Sequence, residues 1–204
     1  MTNDICRFVT LAVASVTVPA SRAGTCPAGT HLAAIGMLIA ERGPDHEWHF
    51  TIETGAIGAG DSEDVLLRWA ATAMPDTGIV IGWQLADAVI APLLDAGASG
   101  DPELGRVFLD RLTKLTTALS VELAAPYGGA GAPPLAEILG ARDIECAAIG
   151  DADVESAWAF GNTAWLRDYV SAQVIAAWKL WLADGNGTTE AASAAFATWL
   201  ANRS

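Results

Sequence analysis

Asp45, His46, Glu47 and His49 are the most tightly spaced set of potential metal ligands in the chain, and imidazole with carboxylate is a common donor set for divalent transition metals. Gly43-Pro44-Asp45 signals a turn there, and adjacent residues of the strand that follows point to opposite faces. The four side chains therefore do not converge, and no metal site is expected from them. Five tryptophans in the C-terminal part, Trp158, Trp165, Trp178, Trp181 and Trp199, offer rings on which bases could stack. The stretch lacks the dense interleaving of basic residues that single-strand binding needs, so these rings are assigned to core packing or to a self-association surface. Gly58-Ala59-Gly60 and Gly128-Gly129 are glycine-rich, but no lysine follows either, and they read as connections rather than phosphate loops. Cys6, Cys26 and Cys146 are odd in number and lack a CxxC spacing. That argues against a disulfide framework or a zinc knuckle, and for a reducing, cytoplasmic setting.

The elements that would position such groups follow from the apolar patterning. Phe8 to Val18 is an apolar run rich in Val and Thr, the preference of a buried strand. It is too short to span a membrane, and Asp4 is out of place in a cationic leader, so no targeting segment is expected. A small-residue connector, Pro19 to Gly29, leads to a second strand over His31 to Glu41 and, past the turn, to an alternating strand over Trp48 to Thr54. Asp61, with Asp64 three positions on, is the expected N-cap of a helix through Val65, Leu66, Trp69, Ala70 and Ala73, which Pro75-Asp76 stops. Gly78 to Trp83 has the uniform apolarity of a strand buried on both faces, and Leu85 to Ala96 reads as a helix ending at Gly97. Glu103 to Ala125 fits either one helix or a helix followed by a short strand. Pro126 to Pro134 has the composition of a flexible loop, and Leu135 to Gly140 is a short helix. From about residue 151 the chain is helical: Asp153 to Ala159, Thr163 to Ala183 with Trp165, Tyr169, Ala172, Ala176 and Leu180 on one stripe, and Thr188 to Asn202.

Length and charge narrow the function. At 204 residues, 52% hydrophobic and 17% charged, with a mean hydropathy of +0.33, the chain is long and apolar enough for a single globular domain without a disulfide or metal staple. Eleven Lys and Arg against 24 Asp and Glu give a net charge of −13, which rules out a broad electrostatic footprint for DNA or RNA. Only Arg106, Arg111 and Lys114 are locally dense, too few to hold a phosphate backbone.

Three local patterns occur in a telling order: Leu11-Ala12-Val13-Ala14-Ser15 on the first strand, Gly82-Trp83-Gln84 followed by Ala88-Val89-Ile90-Ala91, and Tyr169-Val170-Ser171-Ala172-Gln173 on the long helix. With the order of elements from Arg7 to Leu182, they resemble the DnaQ-like (DEDD) 3′-to-5′ exonucleases of the ribonuclease H-like superfamily. The likeness is greatest to stand-alone bacterial domains related to the proofreading domain of family B DNA polymerases. The resemblance implies an α/β fold, a ribonuclease H-like mixed five-stranded sheet with helices on both faces, over residues 1–204 as one domain. In that family the first strand carries Asp-x-Glu-Thr, the second motif Phe-Asp-x-Pro, and the third Tyr-x-x-x-Asp. Here Ala12, Ala14, Val89 and Gln173 stand where the acids belong, and Tyr169 is kept. Thr51-Ile52-Glu53-Thr54 also looks like the first motif, but the 38 residues to Val89 cannot hold the intervening strands and helix.

The family's chemistry uses carboxylates to hold two divalent cations that bind the scissile phosphate and activate a water. Two Ala and one Val supply no ligand, and Gln173 at most one neutral oxygen, so no catalytic residue is intact and no cofactor is expected. The resemblance then implies a catalytically degenerate domain acting as a binding or structural protein. Its partner would be another protein, a nucleic-acid 3′ end or a second copy of the chain, with no membrane involved. The alternative is a magnesium- or manganese-dependent exonuclease that has rebuilt its site from Asp4, Asp87 or Asp168, with Trp83 and Gln84 as further neighbours of the cleft. On a helix, the two-position shift from Val89 to Asp87 turns the side chain by roughly 200°, which argues against direct replacement.

Overall fold

The Val- and Thr-rich run forms strand β1, Cys6–Val18. It pairs antiparallel with β2, Gly29–Arg42, which pairs antiparallel with β3, Trp48–Ala56. Helix α1, Glu63–Ala73, leads to β4, Ile79–Gly82, which lies parallel to β1. A π-helical turn, Leu85–Ile90, runs into α2, Ala91–Ser99; then come α3, Pro102–Thr117, and β5, Leu119–Glu122, parallel to β4. The remainder is helical: α4, Leu135–Ala141; α5, Val154–Ala159; α6, Thr163–Asp184; and α7, Thr189–Ala201. The sheet order is β3-β2-β1-β4-β5, which puts β1 at the centre of a mixed five-stranded α/β sheet. This computed structural model describes residues 6–20, 28–146, 153–185 and 189–203; Asp4, Cys26 and most of the Pro19–Gly29 connector lie outside them.

Alternation along β1 divides the interior into two layers. Val9 and Leu11 join Ile35 and Met37 of β2 under α1, α2 and α3, where Leu67, Leu93, Phe108 and Leu112 are buried. Phe8 and Ala12 face the other way, onto a second core built around α6, with Phe50, Ile81, Trp178, Leu180 and Phe196. Ala14 and Val16 belong to a third cluster with α5 and the start of α6. Burying this much aliphatic and aromatic surface is the main source of stability, at roughly 25 cal/mol per Å². Trp178 is fully buried at the hub of the aromatic packing, with Phe8, Phe50, Trp181 and Phe196 rings between 4.6 and 6.2 Å away. Trp158 is also buried, stacked on His31 at 5.7 Å, so these two rings are core. Among the described residues no helix is long and apolar enough to cross a membrane.

Several local expectations are corrected. The N-cap of α1 is Ser62, whose side chain accepts from the Asp64 backbone N–H. Asp61 is instead used one turn earlier, accepting from the Gly58 N–H, while Asp64 accepts from the Asp101 N–H and ties α1 to the start of α3. Gly97 does not end a helix. It lies within α2 because that helix crosses α3 there, and a Cβ on Gly105 would sit 2.1 Å from the Gly97 carbonyl oxygen. Glu103 to Ala125 resolves into helix and strand. Pro126 to Pro134 is folded into short 3-10 turns at Ala125–Tyr127 and Gly129–Gly131. On α6 the buried line is Leu166, Val170, Val174 and Ala177, so Trp165, Tyr169 and Ala172 are only half-buried. Ala176 and Leu180, further along, are buried as expected, because α4 and α7 pack on that half of the helix.

Candidate functional site

Ala12 sits opposite Gly36 in the β1–β2 ladder, and this pair of small residues lets the backbone of α6 approach the sheet. A Cβ on Gly36 would lie 2.8 Å from the Val170 carbonyl oxygen, so only glycine fits under the helix. One residue before Val170 is Tyr169 and three after it is Gln173, and the close crossing carries both over the centre of β1. Two residues further along β1 the ladder shifts register: Ala14 pairs with Ala34 and Ser15 with Leu32, leaving Ala33 as an extra residue in β2. Bulges of this kind re-aim side chains and are common beside functional sites. The freed Ala33 carbonyl accepts from the Ile57 N–H.

The second wall comes from the end of β4. Gln84 adopts a left-handed conformation, φ 47° and ψ 46°, which is costly for a residue with a Cβ. Its carboxamide nitrogen donates to the carbonyls of Ala130 and Ala132, both at 3.3 Å, so the turn is fastened to the loop before α4. The π-helical turn follows at once, and such turns are found mostly as single insertions near functional sites. It buries Val89 while leaving Asp87 and Ala88 exposed.

These walls enclose a cleft of about 270 Å³, lined by Ala12, Trp83, Gln84, Val89, Tyr169 and Gln173. Those positions lie up to 161 residues apart, from Ala12 to Gln173, and the fold brings them to one place. Leu11, Val13, Ala88, Ala132, Pro134, Leu135, Ala136 and Ala177 complete the lining. The α4 contribution had no signal in the sequence beyond the proline-ended loop, because it depends on how that loop folds back on Gln84. Ala14 is buried and lines a neighbouring cleft of about 500 Å³ with Asp87 and Asp95; the two clefts share Val13, Ala88 and Tyr169. Asp168 is exposed and lines neither, since it lies on the solvent side of α6, so it is not a neighbour of the cleft.

The electrostatics of the main cleft are those of a neutral site. Among the described residues that line it there is no Asp, Glu, His, Lys or Arg. No three His, Cys, Asp or Glu side chains come together as metal ligands would among the described residues, and Asp45, His46, Glu47 and His49 are no exception. Instead Asp45, His46 and Glu47 form a hairpin turn, with His46 at φ 70° and the Glu47 N–H bonded to the Asp45 carboxylate, while His49 lies on β3 opposite Glu41. The divalent cations of exonuclease chemistry therefore find no fitting donor set at Ala12, Ala14, Val89 and Gln173. One ion pair reaches the cleft through its supports. The Arg142 guanidinium bonds to the Asp184 carboxylate and donates to the Tyr127 hydroxyl at 3.0 Å, and Tyr127 packs on Trp83 at 5.7 Å. Asp184 first, and Tyr127 second, hold the Arg142 pKa above its ordinary value.

No family model, curated protein or solved structure matches the chain.

Proposed function

We propose that the chain is a ribonuclease H-like domain of the 3′-to-5′ exonuclease type whose catalytic carboxylates are gone, and that it works by binding rather than by hydrolysis. The observation that carries this reading is the convergence of Ala12, Val89, Tyr169 and Gln173 on one cleft, with Ala14 one shared wall away. The sheet order, with β1 central, antiparallel to β2 and parallel to β4, supports the same assignment. The first three acid positions carry methyl or isopropyl groups and the fourth a carboxamide, so on this reading the site lacks the charge that binds divalent cations although its positions still gather at adjoining clefts. The partner on this reading is a second protein, a further copy of the chain, or a nucleic-acid 3′ end held without cleavage.

Restoring the acids tests it. Ala12→Asp, Ala14→Glu, Val89→Asp and Gln173→Asp together should create manganese affinity absent from the parent, read by titration calorimetry. Ala14 and Val89 are each only 3% exposed, so without metal the variant should lose several kcal/mol through burial and mutual repulsion of carboxylates. Manganese should then raise its melting temperature by binding the folded state alone. Should the quadruple variant not fold, the pair Ala12→Asp and Gln173→Asp, both at half-buried positions, makes the same measurement. A folded variant indifferent to manganese would refute the alignment. EDTA-sensitive degradation of single-stranded DNA or RNA by the parent protein would refute the loss of catalysis.

A further inference from the structure

We propose that the outer edge of β3 pairs antiparallel with β3 of a second copy of the chain, about a two-fold axis at Thr51, so that the two five-stranded sheets join into one. The inference gives a partner to a surface away from the cleft, and it does not rest on the exonuclease reading.

The edge is open. β3 stands at one end of the sheet order β3-β2-β1-β4-β5, runs for nine residues, and pairs with β2 on one side. Two hydrogen bonds at its ends fix which backbone groups are left over. The Gly43 N–H donates to the Glu47 carbonyl, and the Ile57 N–H donates to the Ala33 carbonyl. Both continue the register that sets Arg42 opposite Trp48 and Ala34 opposite Ala56, so His49, Thr51, Glu53 and Gly55 turn their backbone groups toward β2. Trp48, Phe50, Ile52 and Thr54 turn theirs outward, where no hydrogen bond reaches them among the described residues. Long edges are usually blunted by proline, lysine or a bulge. β3 has none of these.

Symmetry and charge select the occupant and its register. Because the free groups sit on even-numbered residues, a second β3 bonds to this edge only where even faces even. With the axis at Thr51, Phe50 faces Ile52 of the second copy and Trp48 faces Thr54, and each such pair exchanges two N–H···O bonds. Between them His49 faces Glu53 of the second copy, once on either side of the axis, and imidazole opposite carboxylate is a complementary pair. The neighbouring registers lose this. An axis at Phe50 sets Glu47 against Glu53, an axis at Glu53 sets that carboxylate against itself, and an axis at Ile52 leaves His49 opposite Gly55. His49 and Thr51 are exposed and Glu53 is half-buried, so the pairing asks for no rearrangement of the core.

Helix α7 leaves room for the second copy. It lies over β3, with Phe196 and Trp199 packed on Phe50 at 5.2 and 5.6 Å. Ser193, Ala197 and Leu200 look toward Lys179 and Leu182 of α6 across a shared cavity. At about 100° per residue, the opposite flank of α7 carries Ala191, Ala195 and Thr198. Two copies of α7 beside the seam therefore present small side chains to each other, which permits a close interaxial distance.

The test is sedimentation equilibrium of the full chain, joined to a cross-link placed at the axis. The parent should sediment at twice the 21.1 kDa mass of one chain. Thr51→Lys, which sets two ammonium groups against each other at an exposed position, should raise the dimer Kd by about tenfold or more with far-ultraviolet circular dichroism unchanged. His49→Glu should weaken the dimer in the same way, and adding Glu53→Lys to it should restore the parent's Kd. Thr51→Cys should give a reducible covalent dimer on mild oxidation, because the pair at the axis is a non-hydrogen-bonded one with Cα atoms about 4.5 Å apart, within disulfide reach. Thr54→Cys, which faces Trp48 rather than its own copy, should not. A parent that stays monomeric at about 100 μM overturns the proposal, as does a dimer that Thr51→Lys leaves intact, or a Thr51→Cys chain that cross-links no faster than Thr54→Cys. These readouts do not involve manganese affinity or nuclease activity, so either reading can fail without the other.

Discussion

Gly36→Ala is the perturbation that asks whether the approach of α6 to the sheet is as close as the structure requires. The added methyl carbon would stand 2.8 Å from the Val170 carbonyl oxygen, 2.9 Å from its Cβ and 3.0 Å from its carbonyl carbon. Ordinary contacts between such atoms lie near 3.5–4.0 Å, so the helix must retreat by roughly 0.5–1 Å at this crossing. Val170 is fully buried and α6 also packs on β1 and β3, so the retreat cannot be local. Overpacking of this kind costs about 1–3 kcal/mol, against which Gly→Ala returns about 0.4–1 kcal/mol by restricting the unfolded chain. The net loss should be about 1–2 kcal/mol. In a chain of 204 residues each kcal/mol corresponds to about 2–4 °C, so the melting temperature should fall by about 2–8 °C. Gly140→Ala in α4 is the matched control: no atom lies within 4 Å of its new Cβ, and its melting temperature should hold or rise slightly. Urea unfolding followed by circular dichroism gives both free energies. A Gly36→Ala protein as stable as the parent would refute the close crossing and with it the placement of Tyr169 and Gln173 over Ala12.

Trp178→Ala should cost about 3–5 kcal/mol in the same assay, the loss typical of a fully buried ring. Trp178→Phe should cost less than half of that, because the indole Nε1 has no hydrogen-bond partner to lose among the described residues. Asp101→Ala should cost about 1 kcal/mol by removing the N-cap of α3, whose carboxylate accepts from the Glu103 and Leu104 N–H groups at 3.0 and 2.9 Å. Asp101→Asn should recover most of it, and equal losses for the two variants would show that the cap does not matter.

Much of the fold was legible because it rests on local rules. The β-branched content of Phe8 to Val18 and the even apolarity of Gly78 to Trp83 specify strands whatever surrounds them, and both were placed in the sheet as the sequence suggested: one central, the other parallel to it. Ala12, Val89, Tyr169 and Gln173, picked out in the sequence by motifs that resemble a known family, line one cleft of the folded chain.

Tertiary contacts decided what local preference leaves degenerate. Asp61 and Ser62 are both good caps, and the choice fell to Ser62 because Asp61 had a nearer backbone donor in Gly58. Gly97 reads as a stop signal, yet its lack of a side chain served the crossing with α3. A helical stripe can be drawn through Trp165 and Tyr169 as easily as through Leu166 and Val170; the close approach at Gly36 selected the second and left both aromatic rings half-buried, with Tyr169 at the cleft. The π-helical turn and the left-handed Gln84 carry no sequence signature, because their cost is met by contacts with a loop some 46 residues away, at Ala130. Periodicity is set by each segment's own residues, whereas rotation about a helix axis and strained turns are set by the surfaces the segment meets, and those exist only in the folded chain.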